Sequence, residues 1–510
     1  MTRYSTRIAA SAACAAAALV LTGCGGGGSA SGGAGAELDI ATLTAAQSLD
    51  PADAIGSALP YFQATYDTLI KRDADGAFKP MLATQWTYDK DRTHLSLTLR
   101  DGVKFTDGTA FDAAAVKANL DHFKNGGGGG AKYVKSVKDV KVVDPTHVVL
   151  ELSQPDPGLL FYLSDAAGLM ASPAKLKDGS LKTAPVGTGP YVLDKSKTAV
   201  GTKYVFDRRT DYWGDKAPFK TLTISVFDNE TAVVNGLKTG QIDSAVLQDA
   251  GQQQAVASDG RLTKTPYSFD FQGLLFFDRD GLRTPALKKP QVRQAINYAL
   301  DRTTMLDKIR QGRGEITDQV FGPETKAYDQ SLDAYYPHDP AKAKQLLADA
   351  GYADGFTLKL PRVTAIVGDA LASSIETDLK AVGIKVVWDQ LDAGSAVQKI
   401  YRDRAYSAMV MNIGQSSTDW VTDQDLVTPG TFNMFGTTDP TVTRLLGQVQ
   451  AGDDAAAAAA SKELNKYLVE QAWFAPFYRM KYLLVAGDGV KAVPQSGMGV
   501  PSLYDYTPAS

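Results

Sequence analysis

Cysteine is nearly absent from this 510-residue chain, which contains only Cys14 and Cys24, both within the first 24 residues. The remainder therefore has no thiol that could form a disulfide, act as a nucleophile or ligate a metal. Histidine is also scarce: the sequence has four, and none lies within five residues of another. These counts exclude a metal site built from clustered histidine and cysteine, and we expect no cofactor.

Neither sign of charge dominates, since 53 lysines and arginines face 57 aspartates and glutamates and leave a net charge of −4. A phosphate backbone is bound through an excess of positive charge, so we expect no nucleic acid partner. Apolar residues make up 44% of the chain and charged residues 22%, as in ordinary globular proteins. We expect a folded, monomeric protein.

Catalytic motifs are missing as well. The sequence has no G-x-S-x-G elbow, no phosphate-binding Walker loop and no H-E-x-x-H, and we expect no enzyme. The five glycines at 126–130 lack the following lysine and hydroxyl residue of a phosphate loop, so they predict a flexible surface loop. Asp73-Ala74-Asp75-Gly76 resembles part of a calcium loop but lacks its spacing and closing glutamate, and predicts a turn.

The pattern of residues at the N-terminus is typical of an export signal. Arg3 and Arg7 precede an apolar stretch at 8–21, which is too short for a transmembrane helix of about 20 residues. The stretch ends in Leu21-Thr22-Gly23-Cys24, which resembles a bacterial lipobox, where cleavage precedes a lipid-modified cysteine. An ordinary signal peptide with an incidental cysteine is the alternative. Residues 24–36, rich in glycine and serine, predict a flexible tether between Cys24 and the body.

The body alternates between helical and strand patterns, which indicates α/β layers. Leucines at 95, 97 and 99, the Asp101-Gly102 turn, and Val103 and Phe105 predict a β-hairpin. A second hairpin is predicted over residues 140–152. Helix starts are predicted from capping residues or proline at Asp112, Asp228 or Asn229, Pro290, Asp339-Pro340, and Asp453 or Asp454. Another helix is predicted to end at Gly383, with a strand at 384–388.

The run LRDGVKFTDGT at 99–109 resembles the signature of the extracytoplasmic solute-binding proteins of family 5, the peptide- and nickel-binding components of ABC importers. The similarity covers about residues 38–478. Within this range, further landmarks occur in the same order as in that family. They are LDP at 49–51, YDTL at 66–69, residues 80–86, GTGPY at 187–191, DYW at 211–213, GQID at 240–243, VRQAINYA at 292–299 and DP at 339–340.

The resemblance implies an α/β, two-lobed periplasmic-binding-protein-like fold of type II, from the large peptide-binding cluster, with an extra domain packed on lobe I. It also implies hinged closure on a ligand, with chain crossings near Gly281 and Tyr482. The implied boundaries are 1–23 lipoprotein signal peptide, 24–36 tether, 37–75 lobe I, 76–185 extra domain, 186–282 lobe I, 283–483 lobe II and 484–510 lobe I.

The same resemblance supplies candidate binding residues. In peptide-binding members, an aspartate before an aromatic residue on a lobe II segment takes the ligand's ammonium. Asp419-Trp420, in NIGQSSTDW at 412–420, matches that pair, although the Asp-Pro usual downstream is replaced by VTDQD. The predicted ligand-binding residues are Asp419, Trp420, Ser417, Ser416, Gln415, Gln47, Trp388, Tyr401 and Phe435. Arginines 362, 402 and 404 are candidates for a terminal carboxylate.

The function implied is capture of a solute, an oligopeptide in the favoured reading, for an ABC permease with its cytoplasmic ATPase. The protein would be held by the lipid on Cys24 at the extracytoplasmic face of the cell membrane. The alternative is the same transport role for an oligosaccharide, a metal chelate or an opine-like metabolite. A surface enzyme or signalling protein that no longer serves transport is a third hypothesis.

Overall fold

The structure is a computed structural model that describes residues 37–509, except residues 55 and 127. The predicted signal peptide, the tether and Cys24 lie outside the described residues. In the part of the chain described, no helix is both long and apolar enough to cross a membrane.

The described residues alternate between strands and helices throughout. The strands are β1 (Glu37–Thr42), β2 (Ile70–Arg72), β3 (Phe78–Pro80), β4 (Ala83–Tyr88), β5 (His94–Leu99), β6 (Val137–Asp144), β7 (His147–Leu152), β8 (Tyr191–Leu193), β9 (Lys203–Arg208), β10 (Thr221–Val226), β11 (Ser244–Leu247), β12 (Leu262–Phe276), β13 (Gly314–Ile316), β14 (Phe356–Arg362), β15 (Ile384–Gln390), β16 (Ala408–Gly414), β17 (Phe474–Gly487), β18 (Val490–Ala492) and β19 (Tyr506–Pro508). The helices are α1 (Leu59–Thr65), α2 (Ala113–Asn125), α3 (Leu159–Leu163), α4 (Glu230–Thr239), α5 (Ala250–Val256), α6 (Pro290–Ala299), α7 (Arg302–Ile309), α8 (Pro340–Asp349), α9 (Asp369–Ala381), α10 (Ala393–Val397), α11 (Asp419–Thr422), α12 (Pro440–Ala451) and α13 (Asp454–Glu470).

One mixed sheet connects the two lobes, in the order β16-β12-β17-β11-β1-β10-β9-β8, with β13 also paired to β17. Strand β1 is parallel to β10 and β11, whereas the other pairings are antiparallel. We call the part built on β1 and β8–β11 lobe I, and the part built on β16 and the adjoining ends of β12 and β17 lobe II.

The two long strands β12 and β17 carry the chain between the lobes. Tyr267 pairs with Tyr482, but the register shifts between Ser268 and Phe271, so a β-bulge interrupts the ladder there. A bulge bends its strand and increases the local twist. Gly281, one of the two predicted crossings, lies beyond β12 in a turn held by the Asp278 carboxylate. Tyr482, the other, lies directly beside the bulge.

Separate hydrophobic cores support the lobes. A lobe I core packs strands β1, β9 and β10 against α1, and two lobe II cores lie on either side of the ends of β12 and β17. A further core is built from residues 69–170, together with Val421 of lobe II. This last core occupies the region predicted as the extra domain, and Val421 joins it to lobe II.

The extra-domain core contains a sheet in the order β4-β5-β7-β6 covered by α2. The predicted second hairpin is confirmed as β6 and β7, and Asp112 caps α2 by accepting from the Ala115 amide at 2.8 Å. The first predicted hairpin is wrong, because β5 pairs with β4 and β7 instead. Val103 and Phe105 are buried, as their apolar character predicts, but they belong to a loop.

The glycine run also differs from the prediction. Gly129 begins a 3₁₀-helix at Gly129–Val134, and Gly130 is buried. A Cβ on Gly128 would lie 1.9 Å from the Ala52 carbonyl oxygen. Gly128 therefore permits close packing against Ala52, and the described glycines of this run are part of packed structure rather than a free loop.

The predicted helix starts and stops in the second half are confirmed. Asn229 caps α4, which ends at Gly240 with a φ of 73°. Asp453 caps α13 by accepting from two backbone amides. Gly383, with a φ of 92°, separates α9 from β15, because glycine adopts this left-handed conformation without a Cβ penalty.

Candidate functional site

A cavity of about 930 Å³ lies between the lobes, beside the β12 bulge. Its volume is near the top of the range for ligand sites, roughly 300–1,000 Å³. Lobe II contributes the segment after β16, Glu315, the loop at 322–326 and the N-terminal part of α13. Strand β12 contributes Tyr267 and Ser268, and the remaining wall comes from the β2–β3 turn, the extra domain and the C-terminal segment. The wall includes Ala74, Asp75, Gly76, Phe78, Arg92, Pro157, Tyr267, Ser268, Glu315, Gly322, Pro323, Glu324, Lys326, residues 415–420, Asp454, Ser461 and residues 494–496.

The segment after β16 forms one side of this cavity. The Gln415 amide donates to the Phe269 carbonyl at 2.6 Å, directly at the bulge. The Gln415 side-chain amide donates to the Val320 carbonyl at 2.9 Å, so both ends of this residue are fixed. The Ser416 hydroxyl accepts from the Thr418 amide at 3.2 Å and holds the turn that leads into α11. Strand β12, at its bulge, and the cavity wall are therefore in direct contact.

Asp419 is the first residue of α11, where a carboxylate is favoured by the N-terminal end of the helix. Its Oδ1 accepts from the Ala327 amide at 3.2 Å. Burial raises the pKa of this carboxyl, while the Ala327 amide and the Lys326 charge act in the opposite direction. A partly buried carboxylate that lines a cavity can receive a ligand's ammonium group.

Asp423 lies one turn beyond Asp419 and was not among the predicted site residues. Its two carboxyl oxygens are buried without a hydrogen-bond partner in the described structure. Burial raises the pKa of Asp423 well above its ordinary value, and the Asp419 charge adds to that shift. The i, i+4 spacing was visible in the sequence, but nothing in the spacing indicated that Asp423 would be buried.

The structure brings five of the predicted residues together in the cavity wall: Gln415, Ser416, Ser417, Asp419 and Trp420. The other four lie elsewhere in the described structure. Trp388 packs against one lobe II core, and Tyr401 and Phe435 pack against the other; all three side chains are partly buried. Gln47 is exposed and lies outside the cavity wall.

The three candidate arginines also lie outside the wall, and Arg362 is paired with Asp369. Arg92 of the extra domain and Lys326 of lobe II supply positive charge to the wall instead. Sequence reasoning missed these two residues, as well as Asp75, Glu324 and Asp454. Apart from Glu324 and Lys326, their positions are far apart along the chain, and no local pattern connects them.

Contacts across the cavity join the surrounding parts of the protein. The Ser496 hydroxyl donates to Glu324 Oε2 at 2.5 Å. The Arg92 guanidinium donates to the Gly452 carbonyl at 3.2 Å. Outside the cavity, Lys132 of the extra domain lies 2.7 Å from the Asp425 carboxylate of lobe II. Lobe II is thus held against both the extra domain and the C-terminal segment.

Comparison with known proteins assigns the architecture. The sequence profile described as "Bacterial extracellular solute-binding proteins, family 5 Middle" matches residues 77–432. This chain belongs to that family. The predicted family and the two-lobed α/β fold are confirmed, and the protein is a solute-binding component of ABC transport rather than an enzyme.

The proteins that this chain is similar to bind different solutes. The glutathione-binding protein GsiB of Salmonella paratyphi A is 32% identical over 363 residues, which cover 69% of each chain. The structure of AgaA from A. tumefacien R10, in complex with agropinic acid, superposes with a TM-score of 0.80 at 24% identity, covering 93% of this chain and 99% of AgaA. DppA from Helicobacter pylori, in complex with the peptide STSA, gives a TM-score of 0.79 at 19% identity, covering 93% of this chain and 98% of DppA.

Proposed function

We propose that this family member captures an oligopeptide between its lobes and delivers it to an ABC permease. The observation that carries the proposal is Asp419, whose partly buried carboxylate lines a large cavity between the lobes. A peptide's terminal ammonium group is a suitable partner, because a charge-assisted hydrogen bond in a partly buried site is stronger than one between neutral groups. The Gln415–Trp420 segment around it offers further polar contacts.

Closure about the β12 bulge provides the capture step. The bulge is the point where the ladder between β12 and β17 is interrupted, and Gln415 of the cavity wall is bonded to it. A rotation at the bulge would therefore move the lobe II wall relative to lobe I. A ligand that contacts both walls stabilises the closed form by its differential affinity for it.

The first test is native mass spectrometry of the body from Leu38, purified without denaturation. A mass increment that matches one peptide, or a ladder of peptides, supports the proposal. A discrete saccharide, chelate or opine mass contradicts the peptide assignment and leaves the transport role in place. If the protein is free of ligand, a calorimetric screen of di- to pentapeptides replaces this test, and absence of binding across the series contradicts the proposal.

Substitution of Asp419 tests its role directly. We expect Asp419→Asn to weaken binding of peptides with a free amino terminus by ten-fold or more, because the charge that pairs with the ammonium is lost. The same substitution should change the affinity for N-acetylated forms of these peptides little. Asp354→Asn, at an exposed lobe II position outside the cavity wall, is the matched control. Equal losses for free and acetylated peptides would contradict the assignment.

We further propose that a lipid on Cys24 anchors the mature protein at the extracytoplasmic face of the membrane. Stable anchoring needs more than one acyl chain, as a diacylglycerol thioether provides. Cys24→Ala should abolish incorporation of a labelled fatty acid and release the protein from the membrane fraction. Unchanged labelling of that variant would contradict the anchor.

A further inference from the structure

The wall of the cavity carries an excess of negative charge. Five acidic residues line it against two basic ones, a formal excess of three negative charges in a chain whose total is −4. The acidic residues are Asp75, Glu315, Glu324, Asp419 and Asp454, and the basic residues are Arg92 and Lys326. The cavity is thus far more acidic than the protein as a whole.

The nearby ion pairs do not remove this excess. Glu315 is paired with Lys481 at 3.0 Å, so its charge is offset from outside the wall. Arg92 donates to the Gly452 carbonyl and lies over the ring of Tyr88. With Glu315 set aside, four acidic residues still face two basic ones.

The acidic residues come from both sides of the cavity. Asp75 lies in the β2–β3 turn, with its Oδ1 accepting from the Ala77 amide at 3.1 Å. Glu324, Asp419 and Asp454 belong to lobe II. Closure therefore brings carboxylates of the two sides onto one enclosed space, where their mutual repulsion is stronger than in bulk water. This repulsion disfavours closure of the empty cavity. A cation between the walls attracts the carboxylates of both sides and therefore favours closure.

A second observation points the same way. The carboxyl group of Asp423, one turn behind Asp419, is buried and has no hydrogen-bond donor in the described structure. The negative charge of Asp419 opposes ionisation of this buried group, and a cation bound at Asp419 would offset that repulsion. Lys326 is the positive charge that acts on Asp419 in the structure.

We infer that the solute is polycationic: a basic oligopeptide that brings side-chain ammonium or guanidinium groups in addition to its amino terminus. This inference rests on the proposed peptide-binding function and narrows its substrate class. The acidic wall attracts such a peptide and repels anionic solutes of the same size. Closure is then coupled to the charge of the solute.

The test compares tetrapeptides that differ only in charge, by isothermal calorimetry at pH 7 in 0.05 M and 0.5 M NaCl. The series is Ala-Ala-Ala-Ala, Ala-Lys-Ala-Ala, Ala-Lys-Lys-Ala and Ala-Glu-Ala-Ala, with spermidine as a cation that is not a peptide. We expect each lysine to lower Kd by about five-fold or more at low salt and glutamate to raise it. The differences should shrink at high salt, because the screening length falls from about 14 Å to about 4 Å.

The double variant Glu324→Gln/Asp454→Asn should reduce the preference for lysine peptides several-fold, measured as the ratio of the Kd of Ala-Ala-Ala-Ala to that of Ala-Lys-Lys-Ala. Asp354→Asn is again the control. Equal Kd values for the lysine and glutamate peptides would overturn the inference while leaving peptide binding intact. If spermidine binds and none of the four peptides does, the preference for cations is retained but the peptide-binding function is refuted. Absence of binding across the whole series would overturn both.

Discussion

Asp270 is the carboxyl group at the passage between the lobes, and its titration should be measurable in the stability of the protein. It lies within the β12 bulge, and its Oδ2 accepts from the hydroxyl of Tyr482 on β17. Its other carboxyl oxygen is buried without a partner in the described structure. Burial raises the pKa of Asp270 from 3.8 to about 6, and the Tyr482 hydrogen bond opposes that shift.

The sign follows from proton binding in the two states. An unfolded aspartate titrates near pH 3.9, whereas folded Asp270 titrates near 6. Between these values the folded protein binds more protons, so the contribution of Asp270 to stability falls as the pH rises and stays reduced above pH 6. A difference of about two pKa units corresponds to ~3 kcal/mol, at ~1.4 kcal/mol per unit.

Asp270→Asn removes this titration and retains an oxygen that can accept from Tyr482. We therefore expect the difference in unfolding free energy, variant minus wild type, to rise by up to about 3 kcal/mol as the pH is raised from 4 to 7. Urea unfolding of both proteins at five pH values measures the difference, in which the titrations of all other groups cancel. A flat difference for Asp270→Asn across the five pH values would refute the reasoning.

Tyr482→Phe provides a second check on the same carboxyl group. It removes the donor that lowers the pKa of Asp270, so the decline in stability should extend to higher pH than in the wild type. A decline that shifts to lower pH would contradict the assigned role of the hydrogen bond.

Two further experiments test the packing away from the cavity. A Cβ on Gly187 would lie 2.1 Å from the Thr65 carbonyl oxygen, so Gly187→Ala should lower stability by about 1–3 kcal/mol in thermal unfolding; Gly447→Ala, within α12 and with no atom within 4 Å, should be neutral or stabilising. The Lys132–Asp425 pair between the extra domain and lobe II is partly exposed. A double-mutant cycle with alanine at both positions should give a coupling of about 0.2–1 kcal/mol, and strict additivity would show that the pair does not join the two parts.

Local sequence was sufficient wherever neighbouring residues determine the conformation. Caps such as Asp112 and Asn229 and the stop at Gly240 were predictable because each acts within one helical turn. The β6–β7 hairpin was predictable because its turn and alternation are local. The β5 hairpin failed because the turn signal at Asp101-Gly102 was overruled by pairing of β5 with β4 and β7.

The residues proposed for the candidate site likewise fall into those whose position the sequence could predict and those whose position it could not. The position of Asp419 and its neighbours in one cavity wall could be predicted, because one continuous segment carries the Asp-aromatic pair that resembles the family's. The aromatic candidates Trp388, Tyr401 and Phe435 could not be distinguished from core residues, since an aromatic side chain suits a ligand pocket and a protein interior equally well.

The sequence alone determined the family, the α/β architecture and the segment that contributes Asp419, because these depend on the order of residues along the chain. Only the tertiary structure placed Asp75, Glu324 and Asp454 on one cavity and located the bulge in β12 between the lobes. The physical reason is distance in sequence: the net charge of a cavity and the bending point of a sheet arise from segments hundreds of residues apart. Their proximity depends on how the lobes and the extra domain pack together.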